Sequence, residues 1–297
     1  MDSSAAPEIR AFFDEATNTV SYLVTDPATH EAAIIDPVLD FDPRSGKIET
    51  VSADRMLSAA DDAGARIVWI LETHAHADHL SSAQYLKAKT GARIGIGANI
   101  GDVQRIFGPL FNQNPAPVDG REFDVLFKDG ETFNLGNLAI EVLATPGHTP
   151  ACISYKLGDT VFVGDTLFMP DYGTARTDFP GGNARTLYRS IRKLLALPPE
   201  TRLFMCHDYK VPERDTYAWE TTVAEQRAHN VHIREDIGEE QFVAMREARD
   251  ATLATPVLLL PSIQVNIRAG HIPPAEENGK RYLKIPLTIE GNAGAGL

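Results

Sequence analysis

The chain has 297 residues, a formal net charge of −13 and two cysteines, and its hydrophobic fraction of 43% allows a proper core. The acidic balance argues against a nucleic-acid partner, which needs a basic face, and two cysteines exclude a disulfide framework and fit a reducing compartment. Because no apolar run approaches the roughly 20 residues that span a bilayer and the N-terminus lacks a secretory signal, we expect a cytoplasmic protein without membrane association.

The first third of the chain alternates predicted strands and helices. Residues 1–36 are predicted as strands, because β-branched and aromatic residues lie between turn-rich breaks. A helix is predicted over "SADRMLSAADDAG", with Ser52 as its cap and Gly64 as its stop. "RIVWILET" is an apolar strand, and "THAHADHL" lies just past its C-terminal end, the edge where layered α/β proteins bind ligands. The helix "LSSAQYLKAKTG" and the strand "ARIGI" follow.

The remainder of the chain is predicted as strands first and helices later. Residues 122–163 alternate strand patterns with Gly and Asp turns. An amphipathic helix is predicted over 184–198, and "TRLFMCHDY" is a further strand that ends in polar residues. From about Pro212 the pattern is helical with a Pro-rich tail. This order indicates sheets flanked by helices rather than a simple parallel βαβ array.

Four segments each end an apolar strand with residue types that bind metals. They are "THAHADH" with His74, His76, Asp78 and His79, "TPGHT" with His148, "FVGDT" with Asp165, and "MCHDY" with His207. A strand end holds a side chain rigidly while the adjoining loop leaves one face open, as a catalytic metal requires. Imidazoles suit zinc or iron, and added carboxylates favour harder or redox-active metals. We therefore predict a metal centre, and place His30, His229, His232 and His271 at the surface.

In this order, "HAHADH", "TPGHT", "VGDT" and "CHDY" closely resemble the motifs of the metallo-β-lactamase superfamily, whose fold is an αββα sandwich. The resemblance runs from the N-terminal strands to about Tyr209. It implies a layered α/β catalytic domain over residues 1–233. Residues 234–297 look like an extension that packs on the core or on a second subunit, so a homodimer is left open.

Within the superfamily, "ARTDFPGG" resembles most closely the glutathione-dependent persulfide dioxygenases. That resemblance implies one Fe(II) per chain, held by His74, His148 and Asp165 as a two-histidine, one-carboxylate set. The implied reaction oxidises glutathione persulfide with O2 and water to sulfite and glutathione. The other four motif residues would orient the ligands, or would hold a second metal if the centre has two; they are His76, Asp78, His79 and His207.

Glutathione carries two carboxylates and an ammonium group, so a pocket in this acidic protein needs cationic side chains that bind carboxylates. Arg176 and Arg214 are the candidates for this role, and Tyr172 and Tyr209 are candidate hydroxyl donors. The two cysteines are predicted to be buried small apolar residues rather than reactive thiols.

Two alternatives stay open. A glyoxalase II-like hydrolase of glutathione thioesters would share all seven motif residues between two metals, with Asp165 bridging them. A non-catalytic metal-binding module would bind metal and lack both activities. Metal analysis together with an oxygen-uptake assay separates the three.

Overall fold

The computed structural model describes residues 6–112 and 118–289, and it divides them into strands, helices and one 3₁₀ turn at Pro109–Phe111. The strands are β1 (Glu8–Asp14), β2 (Thr19–Thr25), β3 (Glu31–Ile35), β4 (Val38–Asp42), β5 (Lys47–Glu49), β6 (Arg66–Leu71), β7 (Leu80–Ser81), β8 (Arg93–Gly97), β9 (Val125–Phe127), β10 (Thr132–Leu135), β11 (Leu138–Ala144), β12 (Ile153–Leu157), β13 (Thr160–Phe162), β14 (Arg202–Phe204) and β15 (Glu220–Thr222). The helices are α1 (Val51–Asp62), α2 (Ala83–Thr90), α3 (Ile100–Phe107), α4 (Ala184–Leu195), α5 (Val223–His229), α6 (Glu239–Asp250) and α7 (Leu259–Asn266).

Two six-stranded sheets form the centre of the molecule. The first sheet has the order β1-β2-β3-β6-β8-β9, and the second has the order β10-β11-β12-β13-β14-β15. In the first sheet β3, β6, β8 and β9 pair in parallel, whereas the second sheet is antiparallel except for β13 and β14. A small third sheet joins β5, β4 and β7. The carboxyl ends of β3 and β6 therefore meet at one edge of the first sheet.

Apolar residues between the two sheets form the inner core. In β11 the residues Leu138, Ile140 and Val142 are buried while the intervening Ala139 is exposed, which is the period of two expected for a strand with one covered face. Tyr22 of β2 contacts Phe162 of β13 across this layer, with ring centroids 5.0 Å apart. The helices cover the outer faces of both sheets, so the layers run helix, sheet, sheet, helix. The predicted αββα sandwich is confirmed.

Helix α4 forms where the local sequence pattern predicts a helix. Leu187, Ile191 and Leu194 recur at helical spacing and are buried against the second sheet. The side chain of Asn183 caps the first turn by accepting the Thr186 backbone N–H at 2.8 Å. The helix predicted over 184–198 is confirmed, although it ends three residues earlier, before two prolines.

The predicted start of α1 is wrong by two residues. Its N-terminal flanking residue is Thr50, and Ser52 lies inside the helix. The Ser52 hydroxyl donates to Asp40 at 2.6 Å, so it joins the helix to β4 instead of capping it. Such a tertiary partner is invisible to a local capping pattern.

The region after residue 233 packs on both halves of the sandwich. Helix α6 lies against α4, and α7 lies against β7. The Asn266 side chain accepts the Ser81 backbone N–H at 2.8 Å and donates to the carbonyl oxygens of His76 and His79. Residues 1–5 and 290–297 of the two predicted units lie outside the described residues. In the part of the chain that is described, every helix falls short of the length and apolar character that crossing a bilayer demands.

Candidate metal centre

The motif side chains meet in loops at the edge where the two sheets adjoin. They are His74, His76, Asp78, His79, His148, Asp165 and His207. The first four follow β6 of the first sheet, and the others follow strands of the second sheet. Hydrogen bonds join the residues after β6 to the second sheet: the Ile153 N–H of β12 donates to the Thr73 carbonyl at 3.0 Å, and the Tyr155 hydroxyl of the same strand donates to the Glu72 carbonyl at 2.9 Å. The centre therefore lies at the seam between the sheets.

His74, His148 and Asp165 form one tight group, with ligand atoms that all lie within 4.8 Å of one another. Asp165 Oδ2 lies 4.0 Å from His74 Nε2 and 3.8 Å from His148 Nε2. His74 is 1% exposed and His148 is 4% exposed, and Asp165 is buried as well. Two imidazoles and one carboxylate so placed match the residue types of a two-histidine, one-carboxylate metal site.

Hydrogen-bond partners fix which nitrogen of each histidine carries the proton. His148 Nδ1 lies 2.8 Å from the Arg176 carbonyl, which only accepts, so Nδ1 is the donor and Nε2 faces Asp165. The Thr73 hydroxyl donates to Asp36 at 2.9 Å, so it accepts from His74 Nδ1 at 3.0 Å. His74 Nδ1 is therefore also the donor, and its Nε2 faces Asp165. Both histidines present to Asp165 the nitrogen that binds a metal.

Two glycines explain why the motifs read "PGH" and "VGD". Gly147 has φ +139°, and a Cβ there would lie 2.4 Å from the backbone of Leu187 in α4. Gly164 has φ +53°, and a Cβ there would lie 2.6 Å from the Thr73 hydroxyl. A side chain at either position would strain the backbone and push the following ligand residue out of place.

Buried polar atoms without partners show that these residues suit a cation. Among the described residues, His74 Nε2, His79 Nε2, His207 Nε2 and Asp165 Oδ1 are buried and have no hydrogen-bond partner. Burial, together with the neighbouring histidines, lowers the pKa of His74 well below its ordinary value, so this imidazole is neutral at pH 7. Neutral imidazoles facing carboxylates without a hydrogen between them are what a metal ion requires. The centre is a metal-binding site.

His76 is held differently from the other motif histidines. Its Nε2 lies 3.0 Å from Asp36 Oδ1 and 3.5 Å from Glu72 Oε2. Burial lowers the pKa of His76, but the two carboxylates outweigh it and raise that pKa well above the ordinary value. His76 Nε2 therefore donates its proton to Asp36, while its buried Nδ1 has no hydrogen-bond partner among the described residues and is the nitrogen that a metal could bind. Asp36 also accepts the backbone N–H of Thr73 at 2.7 Å, so it fixes the loop that carries His74.

Asp78, His79 and His207 lie on the other side of Asp165. His207 Nε2 lies 3.1 Å from Asp78 Oδ2 and 3.3 Å from Asp165 Oδ1. His207 Nδ1 is 3.2 Å from the Asn18 carbonyl and His79 Nδ1 is 3.1 Å from the Leu80 carbonyl, so both donate there and Nε2 is the ring nitrogen that a metal could bind. Asp165 thus offers one oxygen to each side, and the residues could hold a second cation.

A cavity of about 300 Å³ opens beside the centre. Its wall includes His148, Asp165 and the aromatic rings of Phe168, Phe179, Tyr172 and Tyr209, and it also includes Arg176, Arg246 and Arg249. The rings of Tyr172 and Tyr209 have centroids 5.0 Å apart, and Tyr209 stacks on His207 at 5.5 Å. The predicted hydroxyl donors therefore lie at the cavity, next to the metal-binding side chains.

The two predicted carboxylate-binding arginines differ in their surroundings. Arg176 lines the cavity, but Asp178 holds it through two hydrogen bonds of 2.6 Å. Arg214 is absent from the cavity wall as described, and all five of its N–H donors are used by Asp171, Asp208 and the Thr216 carbonyl. This geometry does not favour Arg214 as a substrate-binding group.

Several residues that shape the centre are missing from the sequence prediction. Asp36 could have been found, because it ends the buried strand "EAAIIDP" as the other motif residues end theirs. Arg246 and Arg249 belong to α6, where only a helical pattern was visible. His232 is half-buried rather than at the surface, and its Nδ1 accepts the Thr174 backbone N–H at 3.0 Å.

Both cysteines are buried, as predicted. Burial raises the pKa of Cys152 to about 12 and raises that of Cys206 well above its ordinary value. The raised pKa values favour the neutral thiol at both positions, in keeping with the interpretation as small packed side chains.

The fold and this site define the class of the protein. A sequence profile of the metallo-beta-lactamase superfamily matches residues 15–207, and the chain belongs to that superfamily. A relative from Burkholderia pseudomallei, named "Probable metallo-hydrolase", is 56% identical over 290 residues, which are 94% of this chain and 98% of that protein. "Glyoxylase B2" of Dictyostelium discoideum is 48% identical over 294 residues, 97% of this chain and 98% of that one.

Two further similarities are to proteins named ETHE1. The human "Persulfide dioxygenase ETHE1, mitochondrial" is 29% identical over 271 residues, which are 90% of this chain and 91% of that protein. The crystal structure of ETHE1 from Myxococcus xanthus is 34% identical and superposes with a TM-score of 0.71, covering 89% of this chain and all of that one.

Proposed function

We propose that the protein is a persulfide dioxygenase that oxidises glutathione persulfide with O2 and water to sulfite and glutathione. One Fe(II) per chain would be held by His74, His148 and Asp165. The similarity to a human persulfide dioxygenase along most of both chains supports this proposal, as does the likeness to the Myxococcus xanthus structure. The names of the relatives with higher identity, a metallo-hydrolase and a glyoxylase, keep hydrolysis as the competing candidate.

The observation that carries the proposal is the tight group of His74, His148 and Asp165, two imidazoles and one carboxylate whose ligand atoms lie within 4.8 Å of one another. A hydrolase that shares all seven motif residues between two metals needs His76 as a ligand. His76 Nε2 donates to Asp36, but its buried Nδ1 has no hydrogen-bond partner among the described residues, so His76 does not by itself distinguish the two candidates. Two histidines and one carboxylate suit Fe(II), which would supply the electrons that O2 chemistry requires.

The chain's own residues hold and shield the reacting sulfur. Phe168 and Phe179 give the cavity an apolar wall that excludes bulk water from a reactive persulfide. In the described residues the hydroxyls of Tyr172 and Tyr209 make no hydrogen bond, so they are available to a bound substrate. The Arg176 carbonyl orients His148 through its Nδ1 proton. The reaction balances as persulfide, O2 and water giving thiol, sulfite and two protons.

The glyoxalase II-like hydrolase is the second candidate, because Asp165 directs its two oxygens to opposite sides. Oδ2 faces His74 and His148, whereas Oδ1 lies 3.3 Å from His207. With Asp78 and His79 this arrangement suits a bridging carboxylate between two metals. The relative named Glyoxylase B2 is consistent with this alternative.

Metal content and substrate together distinguish the candidates. Protein purified without added metal is expected to hold one iron per chain and to take up O2 only when glutathione persulfide is present. Sulfite should form in equal amount to the O2 consumed. Two metals per chain, with hydrolysis of S-lactoylglutathione and no O2 uptake, would refute the dioxygenase in favour of the hydrolase. Bound metal without either activity would leave the non-catalytic module.

A further inference from the structure

The cavity beside the metal centre is lined by three arginines that differ in how their charge is balanced. Arg176 is paired with Asp178 and also donates to the Ala254 carbonyl at 2.8 Å. Arg246 is 1% exposed and is paired with Asp250 through hydrogen bonds of 3.0 and 2.6 Å. A guanidinium that is already paired with a carboxylate attracts an anionic ligand only weakly, because its charge is balanced and its N–H donors are used.

Arg249 is the exception among the three. It is exposed, it lines the cavity, and within residues 6–112 and 118–289 its side chain has neither an ion pair nor a hydrogen bond. In a protein with a net charge of −13, an uncompensated arginine at a cavity wall is a distinct local feature. It gives an anionic ligand a positive group in an otherwise acidic surface.

The position of Arg249 is fixed by its neighbours on α6. Arg246 lies three residues earlier, and its Nη1 donates to the Thr174 carbonyl at 3.1 Å. Asp250 accepts the Thr177 backbone N–H at 2.8 Å. These buried contacts attach the C-terminal end of α6 to the loop that forms one side of the cavity. The backbone of Arg249 is therefore held at the cavity while its guanidinium stays uncommitted.

We infer that Arg249 binds a carboxylate of the substrate's thiol carrier and so selects anionic persulfides; this inference rests on the proposed function. The sulfur of the substrate lies at His74, His148 and Asp165, and the peptide part of glutathione extends along the cavity to α6. A guanidinium fork pairs with a carboxylate through two parallel hydrogen bonds, which also orients the ligand. Carriers without a carboxylate lose this contact.

The test measures binding of reduced glutathione and of its diethyl ester, in which both carboxylates are neutral, by calorimetry on the metal-loaded protein. Arg249→Gln should weaken glutathione binding roughly 10-fold to 100-fold, as expected for a charge-assisted hydrogen-bonded pair. The ester should bind the wild type and Arg249→Gln equally. Arg249→Lys, which keeps the charge and loses the fork, should recover part of the affinity. Arg55→Gln is the matched control, because Arg55 is also an exposed helical arginine and lies on α1, away from this cavity.

Each outcome decides the role of Arg249. Equal affinity of the wild type and Arg249→Gln for glutathione would overturn the proposed role of Arg249. A wild type that does not bind glutathione would overturn it as well. So would a loss of glutathione affinity in Arg55→Gln equal to that in Arg249→Gln. Oxygen uptake by the wild type with glutathione persulfide tests the proposed function separately. Uptake together with an unchanged affinity refutes only the role of Arg249. A loss of affinity in Arg249→Gln without uptake by the wild type refutes only the dioxygenase.

Discussion

Replacing Asp250 by Asn should lower both the stability of the fold and the affinity for metal. Asp250 Oδ1 accepts two hydrogen bonds from Arg246, and Oδ2 accepts the backbone N–H and the hydroxyl of Thr177. An asparagine has one carbonyl oxygen and one NH2 group. Whichever way it turns, one pair of these donors faces the NH2 group, and Arg246 is left buried without its counter-charge.

Two magnitudes follow from this geometry. Breaking a buried ion pair by removing one partner costs about 3 to 5 kcal/mol of unfolding free energy. In a chain of this size such a loss lowers the melting temperature by roughly 5 to 15 °C. The released loop carries the Arg176 carbonyl that accepts from His148. Losing a hydrogen bond that orients a metal-binding histidine weakens metal binding by about 10-fold to 100-fold.

The assay measures the two quantities separately. Melting temperatures are recorded on metal-free protein, because bound metal would itself raise them. Metal affinity is recorded as the iron retained against increasing chelator. The double variant Arg246→Met with Asp250→Leu removes both buried charges, so it should regain most of the melting temperature. It should not regain the metal affinity, because Thr177 still lacks its acceptor.

A surface ion pair between α4 and α6 provides the control. Arg185 of α4 contacts Glu239 and Glu240 of α6, and these side chains are exposed or half-buried. Arg185→Gln should leave both quantities almost unchanged. The reasoning fails if Asp250→Asn lowers the melting temperature and leaves iron retention equal to the wild type. In that case the loop does not transmit the position of α6 to the metal centre.

Three other predictions concern the centre and its rim. Asp165→Ala should lose iron and activity together, whereas His207→Ala should keep most of the iron in metal analysis; complete metal loss from His207→Ala would favour the two-metal hydrolase. Gly147→Ala should abolish metal retention, since its Cβ would meet the α4 backbone at 2.4 Å, and normal iron content would contradict the close approach. Burial lowers the pKa of His232 to about 4. The unfolded chain therefore binds a proton between about pH 6.5 and pH 4 that the folded chain does not, so acidification destabilises the fold across this window. His232→Gln should show a smaller fall of melting temperature there than the wild type, and an identical fall would refute the assignment.

The sequence is informative where one local pattern determines the outcome. The apolar runs before His74, His148 and Asp165 predicted strands, and strand ends in a layered fold lie at a common edge. The helical spacing of Leu187, Ile191 and Leu194 likewise placed α4 against a sheet. In each case neighbouring residues carry the whole signal, because a period of two or of 3.6 is a property of the segment itself.

Contacts between distant segments escaped prediction for the same reason. Asp36 and His76 are 40 residues apart, and only the parallel pairing of β3 with β6 brings them together. Arg214 has a guanidinium group that could bind a carboxylate of a ligand, yet Asp208 and Asp171 already pair with it. Whether an arginine is paired depends on tertiary contacts, which residue spacing along the chain does not predict. The pairing in turn determines which arginine is available to a ligand.

The location of the centre at the seam between the two sheets has a consequence for the lifetime of the protein. His74 comes from the loop of one sheet, and His148 and Asp165 come from the loops of the other. A bound metal ion is therefore a cross-link between halves of the chain that are far apart in sequence, and its binding free energy adds to the free energy of unfolding. In a cell short of metal the metal-free protein would unfold more often, so proteases would reach its loops more easily. Metal supply would then control how much of the protein persists as well as how much of it is active.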